Sequence, residues 1–193
     1  MFGGDARHTG RVALRGPHAP PSIVWRVRTR RRVFASPVID SRGRAVFASL
    51  DGEVLGVDRD GIVRWGFGAP DRVFSAPAVV GGVTVFGHDG DAFVGVDARG
   101  LLAWSHPVSE DADAPPVVGP DGTIYAASHG VTALDARGER KWTRALQGHV
   151  FGAPALAPDG NLYVPELSGA VSVVRARDGE IVRRITLAAG MYG

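Results

Sequence analysis

The side chains able to do chemistry in this 193-residue chain are six histidines, His8, His18, His88, His106, His129 and His149, and two sets of aspartates. A histidine beside a carboxylate can shuttle a proton or hold a metal ion near neutral pH. The histidines do not converge on a spacing that makes such a site. His88 and His129 fall in corresponding turns, so a two-histidine metal site on one rim is conceivable, but solvated turn residues are the plainer reading. No metal ligand and no catalytic residue is assigned.

Asp51, Asp89, Asp121 and Asp159 are turn residues. Asp58, Asp97 and Asp135 each open an Asp-x-x-Gly segment, where a carboxylate is expected to accept hydrogen bonds from the amides of its own hairpin. Calcium binding or general-base work would need a second carboxylate at a fixed offset, and none is visible. The chain has no cysteine, which excludes disulfides, thiolate metal sites and cysteine nucleophiles. It also has no glycine-rich phosphate loop, no Gly-x-Ser-x-Gly elbow and no His-Glu-x-x-His helix.

The elements that carry these residues repeat. Trp25, Trp65, Trp104 and Trp142 recur at spacings of 40, 39 and 38, and Pro37, Pro77, Pro116 and Pro154 recur at the same 40, 39 and 38. A period near forty residues decides architecture before any local pattern does. Each unit splits into four short strands: one after the proline, one carrying an aromatic such as Phe47 or Tyr125, one running into the aspartate, and one bearing the tryptophan. Asp-Gly, Gly-Gly, Ser-Gly and His-Gly pairs between them suit tight hairpins. With 27 glycines, 13 prolines and 45% hydrophobic residues, the composition fits an all-β protein with a sizeable core.

A four-stranded meander cannot bury both faces alone, so successive copies must pack face to face around an axis, which is a β-propeller. The tryptophans are expected to fill the joints between blades. Complete blades are placed at about 33–67, 73–106, 112–144 and 150–187. Residues 1–21 form an N-terminal extension and 22–193 the propeller repeats.

The segments Asp58-x-x-Gly61-x-x-x-Trp65, Asp97-x-x-Gly100-x-x-x-Trp104 and Asp135-x-x-Gly138-x-x-x-Trp142 resemble the signature of pyrroloquinoline-quinone-like repeats. The opening Met1-Phe2-Gly3-Gly4-Asp5-Ala6-Arg7-His8-Thr9-Gly10 is similar to the stretch before the first blade in many such proteins. The family includes quinone-dependent dehydrogenases, the propeller lipoprotein of the outer-membrane barrel-assembly machinery, and extracytoplasmic proteins without a known ligand. In the dehydrogenases the docking motif has one more residue between Asp and Gly, so the three units here count against a bound quinone. In the fourth unit Arg175 stands for the Asp and Arg183 for the Trp.

Propellers of this family usually have seven or eight blades, which implies an open arc of a larger propeller, a fragment or a truncated product. Ser22-Ile23-Val24-Trp25-Arg26-Val27 reads as an orphan fourth strand, and Met191-Tyr192-Gly193 as the threshold of a fifth repeat. The expected function is a non-catalytic binding or scaffold module engaging a protein partner or small ligand at the propeller rim. The alternative is a piece of a pyrroloquinoline-quinone-dependent dehydrogenase, with quinone and calcium at the axis. No cofactor is otherwise expected.

The run Arg26-Val27-Arg28-Thr29-Arg30-Arg31-Arg32 is read as a solvated edge rather than a nucleic-acid site, given a net charge of only +2. No apolar run is long enough for a membrane span, and Met1-Phe2-Gly3-Gly4-Asp5 lacks a basic segment followed by an apolar one, so no signal peptide is expected in this chain. The resemblance alone implies a periplasmic or cell-surface location.

Overall fold

The computed structural model describes residue 20 and residues 22–187. The chain forms sixteen strands and no helix in this range, arranged as four antiparallel meanders. The first comprises β1 (Val38–Ile39), β2 (Ala45–Ala48), β3 (Glu53–Val57) and β4 (Val63–Gly68). The second comprises β5 (Ala78–Val80), β6 (Val83–His88), β7 (Ala92–Val96) and β8 (Leu102–Pro107). The third runs through β9 (Val117–Val118), β10 (Ile124–Ala127), β11 (Gly130–Leu134) and β12 (Arg140–Ala145), and the fourth through β13 (Ala155–Leu156), β14 (Asn161–Glu166), β15 (Ala170–Arg175) and β16 (Ile181–Thr186). Each sheet pairs its strands in chain order, as tight hairpins dictate. This is the all-β partial propeller anticipated from the repeat.

The core is not one mass but three layers, one in each joint. Val46, Val54, Trp65, Val73, Phe86 and Val94 pack between the first and second blades. Val85, Phe93, Ile124 and Leu134 pack between the second and third. Tyr125, Val131, Leu156, Leu162 and Val174 pack between the third and fourth. The burial of strands follows from this stacking. In the two inner blades β7 and β10 are buried at every residue, because a neighbour covers each face. In the outer two, β2 and β14 alternate residue by residue, with one face covered and the other open.

The same irregularity recurs in all four blades. The ladder between the third and fourth strands shifts register at Gly56/Val57, Gly95/Val96, Ala133/Leu134 and Val173/Val174. Such a bulge bends the strand and re-aims a side chain. Here it sits beside the pairs Gly56–Trp65, Gly95–Trp104 and Ala133–Trp142, and in the fourth blade beside Val173–Arg183.

The orphan strand expected at 22–27 is not a strand. Those residues are extended but pair with no ladder, because no described strand lies beside them to accept their amides. Trp25 nevertheless docks where a fourth-strand tryptophan should, its Nε1 donating to the Arg59 carbonyl at 2.9 Å. Most of the 1–21 extension, including His8 and His18, and the Met191-Tyr192-Gly193 threshold lie outside the described residues.

Candidate functional site

The signature aspartates are built into turns. Asp58 Oδ1 accepts from the amides of Asp60 and Ile62, Asp97 Oδ1 from Arg99 and Leu101, and Asp135 Oδ1 from Arg137 and Glu139, all at 2.8 to 3.0 Å. Two amide dipoles aimed at one carboxylate stabilise its charged form. The Leu101 amide first, then that of Arg99, holds Asp97 down at about 2, against slight desolvation. The corresponding amides hold Asp58 and Asp135 below the ordinary carboxylate range, which makes all three carboxylates weak bases with one oxygen committed to the turn.

The turn that each aspartate closes receives the tryptophan of the preceding blade. The indole Nε1 of Trp25, Trp104 and Trp142 donates to the carbonyl one residue after the aspartate position, Arg59, Ala136 and Ala176, at 2.9, 3.1 and 3.1 Å. The ring also covers the turn glycine. A Cβ on Gly138 would lie 2.5 Å from the Trp104 ring, and one on Gly179 would lie 2.6 Å from Trp142. Gly138 further has φ +80, a conformation that side chains disfavour. The Asp-x-x-Gly-x-x-x-Trp pattern is therefore a joint between blades. The fourth blade keeps the acceptor carbonyl at Ala176 although Arg175 has replaced the aspartate, because the indole reads backbone rather than side chain.

The histidines divide by environment. His88 is buried, and its Nδ1 accepts from the Gly90 amide at 3.0 Å. Burial pushes its pKa down against the nearby carboxylates of Asp71, Asp89 and Asp91. His106 on β8 is likewise shifted down, by burial and then by Arg140. His88 and His129, paired in sequence by their equivalent turns, are not brought together.

His129 instead meets His149 and Glu110. Glu110 Oε2 lies 3.5 Å from His129 Nδ1 and 3.1 Å from His149 Nδ1. Beside them stand Asp89, Asp111 and Asp113, whose carboxylates approach within 4.8 Å of one another. Arg72 covers one oxygen of Asp89 at 2.8 Å, while Asp89 Oδ1 and Asp113 Oδ1 are buried without a hydrogen-bond partner. Burial, and then the Asp89 charge, push the Asp113 carboxyl up to about 6. Asp89 moves up for the same first reason, against the pull of Arg72. Glu110, Asp111, Asp113 and His149 all lie in the connections that enter the third and fourth blades, outside every strand.

A further charge escaped the sequence reading. Glu166 at the end of β14 is fully buried and fully satisfied. It accepts from the Gly148 amide at 2.6 Å, from Ser172 Oγ at 2.6 Å and from Arg184 Nη2 at 3.1 Å. It thereby pins the loop carrying His149 to the fourth blade. An acidic residue next to Pro165 in an otherwise apolar strand was the available signal.

Two of the concave surfaces among the described residues are mainly apolar. A hollow of about 220 Å³ draws on the entry segments of all four blades and is lined by Phe34, Phe74, Ala76, Pro115, Phe151 and, as its one charged group, Asp113. A groove of about 850 Å³ runs along the joint of the third and fourth blades past Tyr125, Leu156, Pro158 and Val182. The arginines Arg26, Arg28, Arg30, Arg31 and Arg32 are all exposed.

A family model described as outer membrane protein assembly factor BamB matches residues 19–185. Among solved structures, BamB from Moraxella catarrhalis is similar at TM-score 0.73 and 20% identity, covering 84% of this chain and 56% of that one. Quinohemoprotein alcohol dehydrogenase from Comamonas testosteroni is similar at TM-score 0.69 and 17% identity, covering 81% of this chain and 35% of that one. The chain thus spans about half the length of the first and about a third of the second. At these identities the likeness is one of fold. No curated protein matches the chain in sequence.

Proposed function

Because the chain belongs to the pyrroloquinoline-quinone-like β-propeller repeat family of the assembly factor BamB, we propose that it is a non-catalytic scaffold module whose rim loops and outer strands bind a protein partner. The observation that carries this reading is the use of the signature. One oxygen of every signature aspartate accepts two amides of its own turn, and Trp25, Trp104 and Trp142 dock on backbone of the blade that follows each. The repeated chemistry therefore builds a rigid arc, leaving binding to the edges.

Those edges are equipped for contact. The fourth strands lie outermost and offer unpaired backbone, and exposed apolar pairs recur at their starts: Ile62 with Val63, Leu101 with Leu102, and Ile181 with Val182. Strand edges and apolar side chains of this kind suit protein contact. A location outside the cytoplasm, periplasmic or at the cell surface, accords with the family. No helix among the described residues is long and apolar enough to cross a membrane.

A quinone cofactor does not fit the residues present. Pyrroloquinoline quinone is a tricarboxylate and calls for cationic partners, whereas the one charged group lining the hollow shared by the four blades is the anion-forming Asp113.

Two measurements test the proposal. Titration with pyrroloquinoline quinone and calcium, followed by tryptophan fluorescence and thermal midpoint, should leave both unchanged; saturable quenching with a raised midpoint would overturn it. A photo-crosslinker at Leu102, introduced in the source cells, should give discrete protein adducts, and their absence would overturn the proposal.

A further inference from the structure

We propose that Glu110, His129 and His149 form a binding site for a divalent transition-metal ion of the zinc class, on the rim above the joint of the third and fourth blades. Two imidazoles and a carboxylate are a preferred donor set for zinc, at bond lengths of about 2.0–2.1 Å. Tetrahedral ligands at that length stand about 3.3 Å apart. Glu110 Oε2 is 3.5 Å from His129 Nδ1 and 3.1 Å from His149 Nδ1, on either side of that spacing. One donor atom from each of the three residues falls within a 4.8 Å cluster, so a small adjustment of exposed side chains seats the ion. Three protein donors leave the fourth position to water or to a partner's side chain.

The placement is held by backbone, not by chance contact of surface rotamers. Ser128, buried beside His129, is the common anchor. Its Oγ reaches the carbonyls of Glu110 and Asp111 at 3.1 Å each, and its own carbonyl accepts from the Val150 amide at 2.7 Å. One residue therefore fixes the segments that carry all three donors. The Leu167 amide donates to the His149 carbonyl at 2.9 Å, and Glu166 holds Gly148 from below.

The surroundings favour a cation. His149 Nε2, the nitrogen turned away from Glu110, faces Asp113 Oδ2 at 3.9 Å. At that distance the contact is electrostatic rather than a hydrogen bond, and it adds a carboxylate on the far side of the ring. The carboxylates of Asp89, Asp111 and Asp113 also stand behind the histidines, within 4.8 Å of one another, with Arg72 on Asp89 as the cation among them.

The test is calorimetric titration of the full chain, stripped with chelator, with zinc chloride. One ion per chain and a raised thermal midpoint are expected. His129→Asn, His149→Asn and Glu110→Gln should each weaken binding by at least about 10-fold, while leaving the metal-free midpoint close to that of the parent. His106→Gln and the pair His8→Gln with His18→Gln should leave it unchanged. Cobalt(II) should bind with the visible absorption of a tetrahedral nitrogen–oxygen site. Absence of saturable zinc binding would overturn the proposal, as would affinity that survives loss of both His129 and His149, or calcium binding as tight as zinc.

Discussion

Arg44 occupies the acceptor that belongs to Trp65. At the two later joints, and where Trp25 docks on the first blade, the indole donates to the carbonyl after the signature position, but at the joint of the first two blades Arg44 Nη1 donates to that carbonyl, Ala98, at 2.9 Å. The guanidinium lies over the Trp65 ring, 5.9 Å from its centroid, and Trp65 Nε1 is left buried without a hydrogen-bond partner. A cation–π contact, together with a buried ion pair to Asp40 at 2.6 Å, stands in for the lost indole bond.

The exchange predicts an asymmetric response to mutation. Arg44→Met alone strands the Asp40 carboxylate, whose side chain is only 7% exposed, and should lower stability by about 3 kcal/mol in urea unfolding. Adding Asp40→Asn removes the stranded charge and should restore most of that loss. In the double variant the Trp65 indole is free to donate to Ala98, and its N–H resonance should move toward those of Trp104 and Trp142.

Gly138 and Gly160 share nearly the same φ, +80 and +79, but not the same surroundings. A Cβ at Gly160 meets nothing within 4 Å, so Gly160→Ala should cost only backbone strain, about 1 kcal/mol. At Gly138 the Cβ would also strike Trp104, so Gly138→Ala should cost roughly 3 kcal/mol and shift the Trp104 emission. Equal losses at the two positions would refute the joint as the reason for glycine at 138.

Asp97 and Asp113 make opposite contributions to the pH dependence of stability. The folded Asp97 carboxyl is held at about 2, below its ordinary 3.8, so its stabilisation is present above about pH 4 and is lost as pH falls through 2. Asp97→Asn should therefore flatten the acid limb of the midpoint against pH.

Asp113 is raised to about 6 by burial, with Asp89 and Asp111 adding repulsion and His149 opposing it. The folded state binds that proton more tightly than the unfolded chain, so stability falls as pH rises from about 4 past 6. Asp113→Asn should remove this decline while leaving the limb below pH 3 in place, as thermal scans across pH would show. Arg72, which screens Asp89, should deepen the decline when changed to Gln.

Glu166→Ala should cost about 3 kcal/mol, since it leaves the Gly148 amide, Ser172 and Arg184 without their buried acceptor. Hydrogen exchange at Gly148 should rise by more than exchange in β10, because the loop loses its tether and the third blade does not.

The repeat itself was open to inspection in the chain. The tryptophan and proline spacings, with glycines at the hairpins, announce a four-stranded unit, because hairpin pairing is local and needs nothing beyond neighbouring residues. The role of Asp58, Asp97 and Asp135 was legible for the same reason, each carboxylate reaching amides only two and four residues on. The strand read at 22–27 failed because a strand is a property of a pair, and no described strand pairs with it.

The rim cluster was illegible for a different reason. His129 sits in a hairpin and looked equivalent to His88, yet their environments diverge: His88 turns inward onto Gly90, while His129 turns outward toward Glu110 and His149. Glu110 and His149 stand 39 residues apart, one full repeat, in the connections that enter successive blades, but the repeat does not announce that their side chains meet. The chain by itself determined the blades, their order and the glycine, aspartate and tryptophan that join them, all interactions encoded at short or fixed spacing. Only the tertiary structure decided which carbonyl each indole takes, which faces are buried and which charged side chains meet at the rim. Those outcomes depend on how separate blades stack, and stacking brings together residues with no local signal to announce it.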